Sequence, residues 1–304
     1  MKKKTVLFPT VFAVFLAALV FHFTFGKNNA YAQMSAERTL VSKTVSSSSA
    51  SGNAAASRFA AAASQNAGSM GSLSWVFSGK TQAGWRIYAP LIAQTIGTDA
   101  SPDSNEFALG LSKWQAGHAL EPNGVLNQPT IDAFVKYWQS QRLGRSGFPG
   151  ADRLYSAPIS EFYDQTRDAN LLQLEKDTFA AYKRMLAAAA KDLKGSVKFT
   201  QQGELAPGEK FLRIVSAYRS PEYQAELRRK EPNAGRGALA KFSAHATGQA
   251  LDLYVGGEPV STKDPNRLAQ VETPAYKWLV KNAHKFGFYP YFYEPWHWEY
   301  VPGR

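Results

Sequence analysis

His245 and Asp252 stand seven residues apart in KFSAHATGQALDLYVGG (residues 241–257), and Glu294 and His297 stand three apart in YEPWHWEY (residues 293–300). Imidazoles and carboxylates are the donors of a nitrogen–oxygen metal site, and a chain without cysteine has no thiolate alternative. Two ligands do not close such a site, so a third must come from elsewhere. Histidine is scarce, with five in the chain, and one of them, His22, lies in the N-terminal apolar run. Of the rest, His118 falls in a separate helical stretch and His284 in a helix dense with lysines. His297 stands in an aromatic strand that would fix its ring. Pro295 supplies a bend that lets Glu294 and His297 face one point. The set is His245, Asp252 and His297, with a glutamate beside it.

The elements that position these groups follow from periodicity. Residues i and i+7 nearly superimpose on a helix, but Leu251, Leu253 and Val255 alternate with Ala250, Asp252 and Tyr254. That pattern predicts a strand over QALDLYV that buries its aliphatic set and aims Asp252 from the other face. Gly248 allows a bend that returns His245 toward the carboxylate. KFLRIVSAYRS (residues 210–220) and WHWEYV (residues 296–301) are further strand candidates. Helices are expected over about Asn170 to Leu193, and over AYKWLVKNAHKFGF, where Trp278, Leu279 and Ala283 face inward and Gly287 is the stop. Helices and short strands mix without a parallel repeat. The expectation is an α+β fold, a small mixed or antiparallel sheet with flanking helices around a zinc site, preceded by a small helical domain.

SAYRS (residues 216–220), Ser243-x-His245-x-x-Gly248-x-Ala250-x-Asp252, the helix WLVKNAHKFGF and EPWHWEY come in one order along the chain. In that order they resemble the zinc D-alanyl-D-alanine carboxypeptidases of the VanY type, over roughly Asn170 to Gly303. The resemblance implies that His245, Asp252 and His297 hold Zn²⁺ and leave a fourth position for water. It implies Glu294 as general base and then acid, and Arg219 as the cation over the scissile carbonyl. Ser243 and Gln224 are candidates for holding the substrate's polar groups. Glu299 departs from the basic residue often seen after the histidine–tryptophan pair, which bears on substrate preference. The implied activity is removal of the terminal D-alanine from peptidoglycan stem peptides. The alternatives are an endopeptidase of the L-Ala–D-Glu type, a D-Ala-D-Ala dipeptidase of the same fold, or a non-catalytic metal-bearing wall-binding module.

Further toward the N-terminus, residues 73–145 read as a helical domain and residues 146–304 as the peptidase domain. Phe107, Leu111, Trp114 and Gln115 have helical spacing, a turn follows at Pro122-Asn123-Gly124, and Pro129 opens a second helix carrying Ile131, Phe134, Val135 and Trp138. WQAGHALEPNGVLNQPTIDAF resembles the peptidoglycan-binding domain of wall hydrolases, with Ala119-Leu120 where Gly-Leu is usual. The implied role is docking on peptidoglycan, separable from the chemistry. Residues 33–72, rich in Ala, Ser and Gly, read as a flexible linker. Residues 1–32 combine three lysines, an apolar run over residues 6–25 and an Ala30-Tyr31-Ala32 site, the pattern of an export signal or an uncleaved membrane anchor. The expected location is the periplasm, cell envelope or exterior. The formal charge of +11 comes without a dense basic stripe, which points away from nucleic acid and toward anionic wall polymers, lipid head groups or simple solubility.

Overall fold

The computed structural model describes residues 59–144, 147–230 and 243–303. The signal or anchor segment, the linker as far as residue 58 and most of RRKEPNAGRGALAKF (residues 228–242) lie outside the described residues. All the described residues fall in one compact unit, Ala54–Arg304. Among them no helix is long and apolar enough to cross a membrane.

Eight strands are described: β1 (Ser74–Phe77), β2 (Lys80–Ala83), β3 (Leu154–Ser156), β4 (Gln173–Glu175), β5 (Ile214–Ser216), β6 (Ala250–Leu253), β7 (Phe288–Pro290) and β8 (His297–Tyr300). The last four form one antiparallel sheet in the order β5-β6-β8-β7, which fits the expected α+β class. Register does the work of bringing the site together. Asp252 lies opposite His297 on one side and Ser216 on the other, so distant stretches of sequence form one row across three strands. Because side chains alternate, Asp252 shares a face with His297, and Glu299 lies on that face opposite the small Ala250. Leu251, Leu253 and Trp298 point the other way into the core. The alternation in β6 was expected to bury one face, yet Ala250 through Leu253 are all buried, because the opposite face is covered too. The strand expected over residues 210–220 is short because a register shift between Ile214 and Ser216 breaks its pairing with β6.

Residues 59–69 are helical (α1), followed by α2 (Ala89–Ile96), α3 (Asn105–Ala116), α4 (Gln128–Gln141), α5 (Lys176–Asp192), α6 (Pro221–Lys230), α7 (Asp264–Val271) and α8 (Pro274–Asn282). The expected helix over Asn170 to Leu193 starts late because Gln173–Glu175 pairs with β3. The Glu175 carboxylate then caps α5 by accepting from the Thr178 N–H at 2.9 Å. Thr178, Ala181, Tyr182, Met185, Leu186 and Ala189 form its buried stripe. The helix around Trp278 ends as α8 and a 3-10 turn closed by Gly287 at φ +84°, as the sequence pattern requires.

Two expectations about the N-terminal part need correction. The unit before the peptidase is not purely helical, since β1 and β2 form a hairpin in it. The linker expected to run to residue 72 gives way to helix α1, whose Phe59, Ala62 and Ala63 pack on Ala108. Alanine is the best helix former, so an Ala/Ser-rich stretch with one buried phenylalanine propagates a helix where a packing surface exists. Asn66 of α1 clasps the turn after α3, donating to Gly124 O at 2.9 Å and accepting from Leu126 N at 2.8 Å. Gln115 holds the same turn from inside, accepting from Gly124 N and donating to Val125 O and Thr130 Oγ1.

Nor is there a break in packing near residue 145. One hydrophobic core contains Trp75, Tyr88 and Trp138 together with Ile214, Leu251, Phe292 and Trp298. Phe292 is its hinge, with ring centroids 4.8 Å from Phe77, 5.7 Å from Tyr88 and 5.6 Å from Trp138. Arg267 of α7, buried to 1% exposure, donates to the Tyr88 hydroxyl at 3.0 Å.

Candidate metal centre

Gly248 makes the bend that the sequence predicted. It sits at φ +72°, and a Cβ there would come 2.9 Å from Glu175 N, so a larger residue is excluded both by conformation and by contact. The bend ends the turn of Ala244–Thr247, which Ser243 caps by accepting from His245 N, and it carries His245 back over β6. His245 Nε2 lies 3.2 Å from Asp252 Oδ1, and His297 Nδ1 lies 2.9 Å from the same oxygen. One ligand atom from each of the three residues falls within 4.8 Å of the others, and all three side chains are buried.

The outer nitrogens of both rings are also engaged. His245 Nδ1 is 2.7 Å from the Ala217 carbonyl oxygen, and His297 Nε2 is 3.1 Å from Glu299 Oε1. A neutral imidazole carries one N–H, yet each ring here has oxygen acceptors at both nitrogens. Each ring therefore needs a second positive centre, a proton or a cation, on the side facing Asp252. For His245 the proton is the poorer choice, because burial and the neighbouring Arg219 push its pKa down to about 4. A divalent cation among Nε2 of His245, Nδ1 of His297 and the Asp252 carboxylate satisfies all three at once. The donor set fits zinc, and the outer partners fix the tautomers that such binding requires.

Asp252 is held well below the usual carboxylate range. Burial works against its charge, but His245, His297 and Arg219 outweigh it. Burial likewise opposes the His297 cation, while hydrogen bonds to Asp252 and Glu299 lift its pKa to about 9. Arg219 donates from Nε to Ser216 Oγ at 3.0 Å and from Nη2 to Asp252 Oδ2 at 2.8 Å, so it braces the ligand as well as bordering the site. Glu294 is partly buried and close enough to His297, Asp252 and Arg219 to feel their charges, and desolvation raises its pKa to about 7. Gln224 is buried on α6.

Two charged residues near the site carry little sequence signal. Glu299 appeared only as a departure from a pattern, although its two-residue spacing from His297 on a strand puts both on one face. Arg167 was not singled out at all; its Nε is buried without a hydrogen-bond partner, and burial lowers its pKa next to Arg219.

Residues 171–303 match the family model of the VanY D-alanyl-D-alanine carboxypeptidases. Over that segment the chain is similar to this family. The matched segment contains His245, Asp252 and His297, which could hold a metal ion, together with Glu294 and Arg219. No curated protein matches the chain.

Proposed function

We propose that this is an exported zinc-dependent D-Ala-D-Ala carboxypeptidase that trims peptidoglycan stem peptides. The observation that carries this reading is the three-ligand cluster with a carboxyl of near-neutral pKa beside it. Zinc held by His245, Asp252 and His297 would supply a Lewis acid and make a nearby water more acidic. Glu294 accepts a proton from the attacking water and delivers it to the leaving amine as the C–N bond to the terminal D-alanine breaks. A carboxyl that titrates near neutrality is suited to both transfers. Arg219, anchored on Ser216 and Asp252, keeps a permanent charge where the carbonyl oxygen becomes negative. Ser243 and Gln224 are assigned to the substrate's polar groups.

The N-terminal sequence supports export, and the likeness around Gln115 and Gly124 supports contact between the N-terminal unit and peptidoglycan. Incubating the purified protein with pentapeptide muropeptides tests the activity by mass: the expected product is shorter by one alanine and a chelator abolishes its formation. Cleavage between L-Ala and D-Glu, or full activity after metal removal, would overturn the reading.

A further inference from the structure

Glu299 is buried to 1% exposure, and both of its oxygens are occupied from outside the peptidase segment. Oε1 accepts from Arg142 through Nη2 and through Nε, the latter at 3.1 Å, while it also accepts from His297 Nε2 at 3.1 Å. Oε2 accepts from the backbone N–H of Leu143 at 2.9 Å. Arg142 and Leu143 follow directly after α4, so the end of a helix in the N-terminal unit is fastened to a residue two positions from a metal ligand.

Arg142 is itself braced. Its Nη1 donates to Gln139 Oε1 at 3.0 Å, and its guanidinium lies 4.1 Å from the centroid of the Tyr291 ring. Tyr291 in turn donates its N–H to His297 O at 3.0 Å and sets its ring edge-on to the imidazole. The Arg142 guanidinium thus touches two of the groups that confine the His297 ring, Glu299 and Tyr291. A buried carboxylate left without its cation is strongly destabilised, and it no longer holds the imidazole N–H once it turns away.

We propose that Arg142 is a positioning residue of the metal centre. Through Glu299 it fixes the orientation and tautomer of His297, so the N-terminal unit is a working part of the site as well as any docking surface. This rests on His297 being a metal ligand, as the proposed function has it.

The test measures Zn²⁺ affinity of the full chain by competition with a chromogenic chelator, and the visible spectrum of the Co²⁺-loaded protein. Arg142→Ala should weaken zinc about 10- to 100-fold and change the Co²⁺ bands, the range found for removing a partner of a metal-bound histidine. Arg142→Lys, which keeps the charge but loses the planar fork, should recover part of the loss. In a Glu299→Gln background, Arg142→Ala should add no more than about twofold, because the two act in one chain of contacts. Lys281→Ala, which removes an exposed ion pair to Asp99 across the same boundary, should leave zinc affinity unchanged. Parental affinity in Arg142→Ala, or losses that multiply in the double variant, would overturn the proposal. If the parent chain takes up neither Zn²⁺ nor Co²⁺, the metal reading itself fails, an outcome distinct from a parent that binds tightly and an Arg142 variant that binds equally well.

Discussion

The two sides of the candidate metal centre approach the same Asp252 oxygen but are supported by different means. His245 is carried on a tight turn and leans on a peptide carbonyl, Ala217 O, which follows directly after β5. His297 is carried on a strand and leans on a buried carboxylate whose counter-charge comes from helix α4. A carbonyl positions a ring without asking for compensation elsewhere. A carboxylate raises the basicity of the imidazole, but burying it requires a cation, and here the cation sits more than a hundred residues away in sequence. One side of the site is therefore supported from within the segment after residue 171, and the other depends on a contact with the N-terminal unit.

Asp252 is common to both sides, so its loss should have the largest effect. Asp252→Ala removes a ligand and leaves two imidazoles and Arg219 facing one another, and zinc content after dialysis should fall close to zero. Glu294→Gln probes the chemistry without touching either side. Zinc per chain should stay at the parental level while turnover on a D-Ala-D-Ala-terminated peptide falls by about 100-fold or more. Zinc loss in Glu294→Gln equal to that in Asp252→Ala would mean that Glu294 is a ligand, and the division between holding metal and moving protons would have to be redrawn.

Packing supplies the next test. Phe292 is 3% exposed and joins Phe77, Tyr88 and Trp138 to the connection that leads into β8 at His297. Phe292→Ala should cost about 3–5 kcal/mol of stability, the usual range for emptying a buried aromatic site. Thermal unfolding should remain a single transition, since both parts share a core. Two separated transitions would show that the N-terminal unit folds independently, in which case its removal would leave the peptidase intact, as the docking-module resemblance implies. The structure favours the opposite outcome, because deletion through Leu143 would expose Phe292 and leave Glu299 buried without Arg142.

How much of this was legible in the sequence depends on the range of the interaction. The alternation around Asp252, the glycine at 248 and the aromatic strand at His297 are local patterns, and they led to the correct strands and to all three members of the cluster. The pairing of Asp252 with His297 followed from scarcity of histidine rather than from any pattern of register, which sequence does not carry. The α3 and α4 helices and their turn were legible because Gly124, Pro129 and the buried stripes are local as well. Helix α1 was not: it has a single large apolar residue, and its stability comes from Asn66 and Phe59 meeting a turn some sixty residues later. Glu299 was visible only as an anomaly, because its partner Arg142 has no sequence signature. The core that the N-terminal unit shares with the rest of the chain was not legible for the same reason, since a shared core is a property of packing.

The smallest expected effect discriminates most finely between the two kinds of support. Among the described residues, two ion pairs link the N-terminal elements to the later ones: Arg142 with the 1%-exposed Glu299, and Asp99 with Lys281, whose side chains are 80% and 52% exposed. Exposed pairs gain little, because water screens the charges and two long side chains lose freedom in holding one geometry. Asp99→Ala should therefore shift the unfolding midpoint by less than about 2 °C and leave zinc affinity at the parental value. If it instead weakened zinc as much as Arg142→Ala does, tightness of the whole boundary would be what places His297, and the carboxylate between them would have no special part. If only the Arg142 variant weakens zinc, the coupling runs through Glu299, and the long-range side of the site is a chain of three named contacts rather than a diffuse effect of packing.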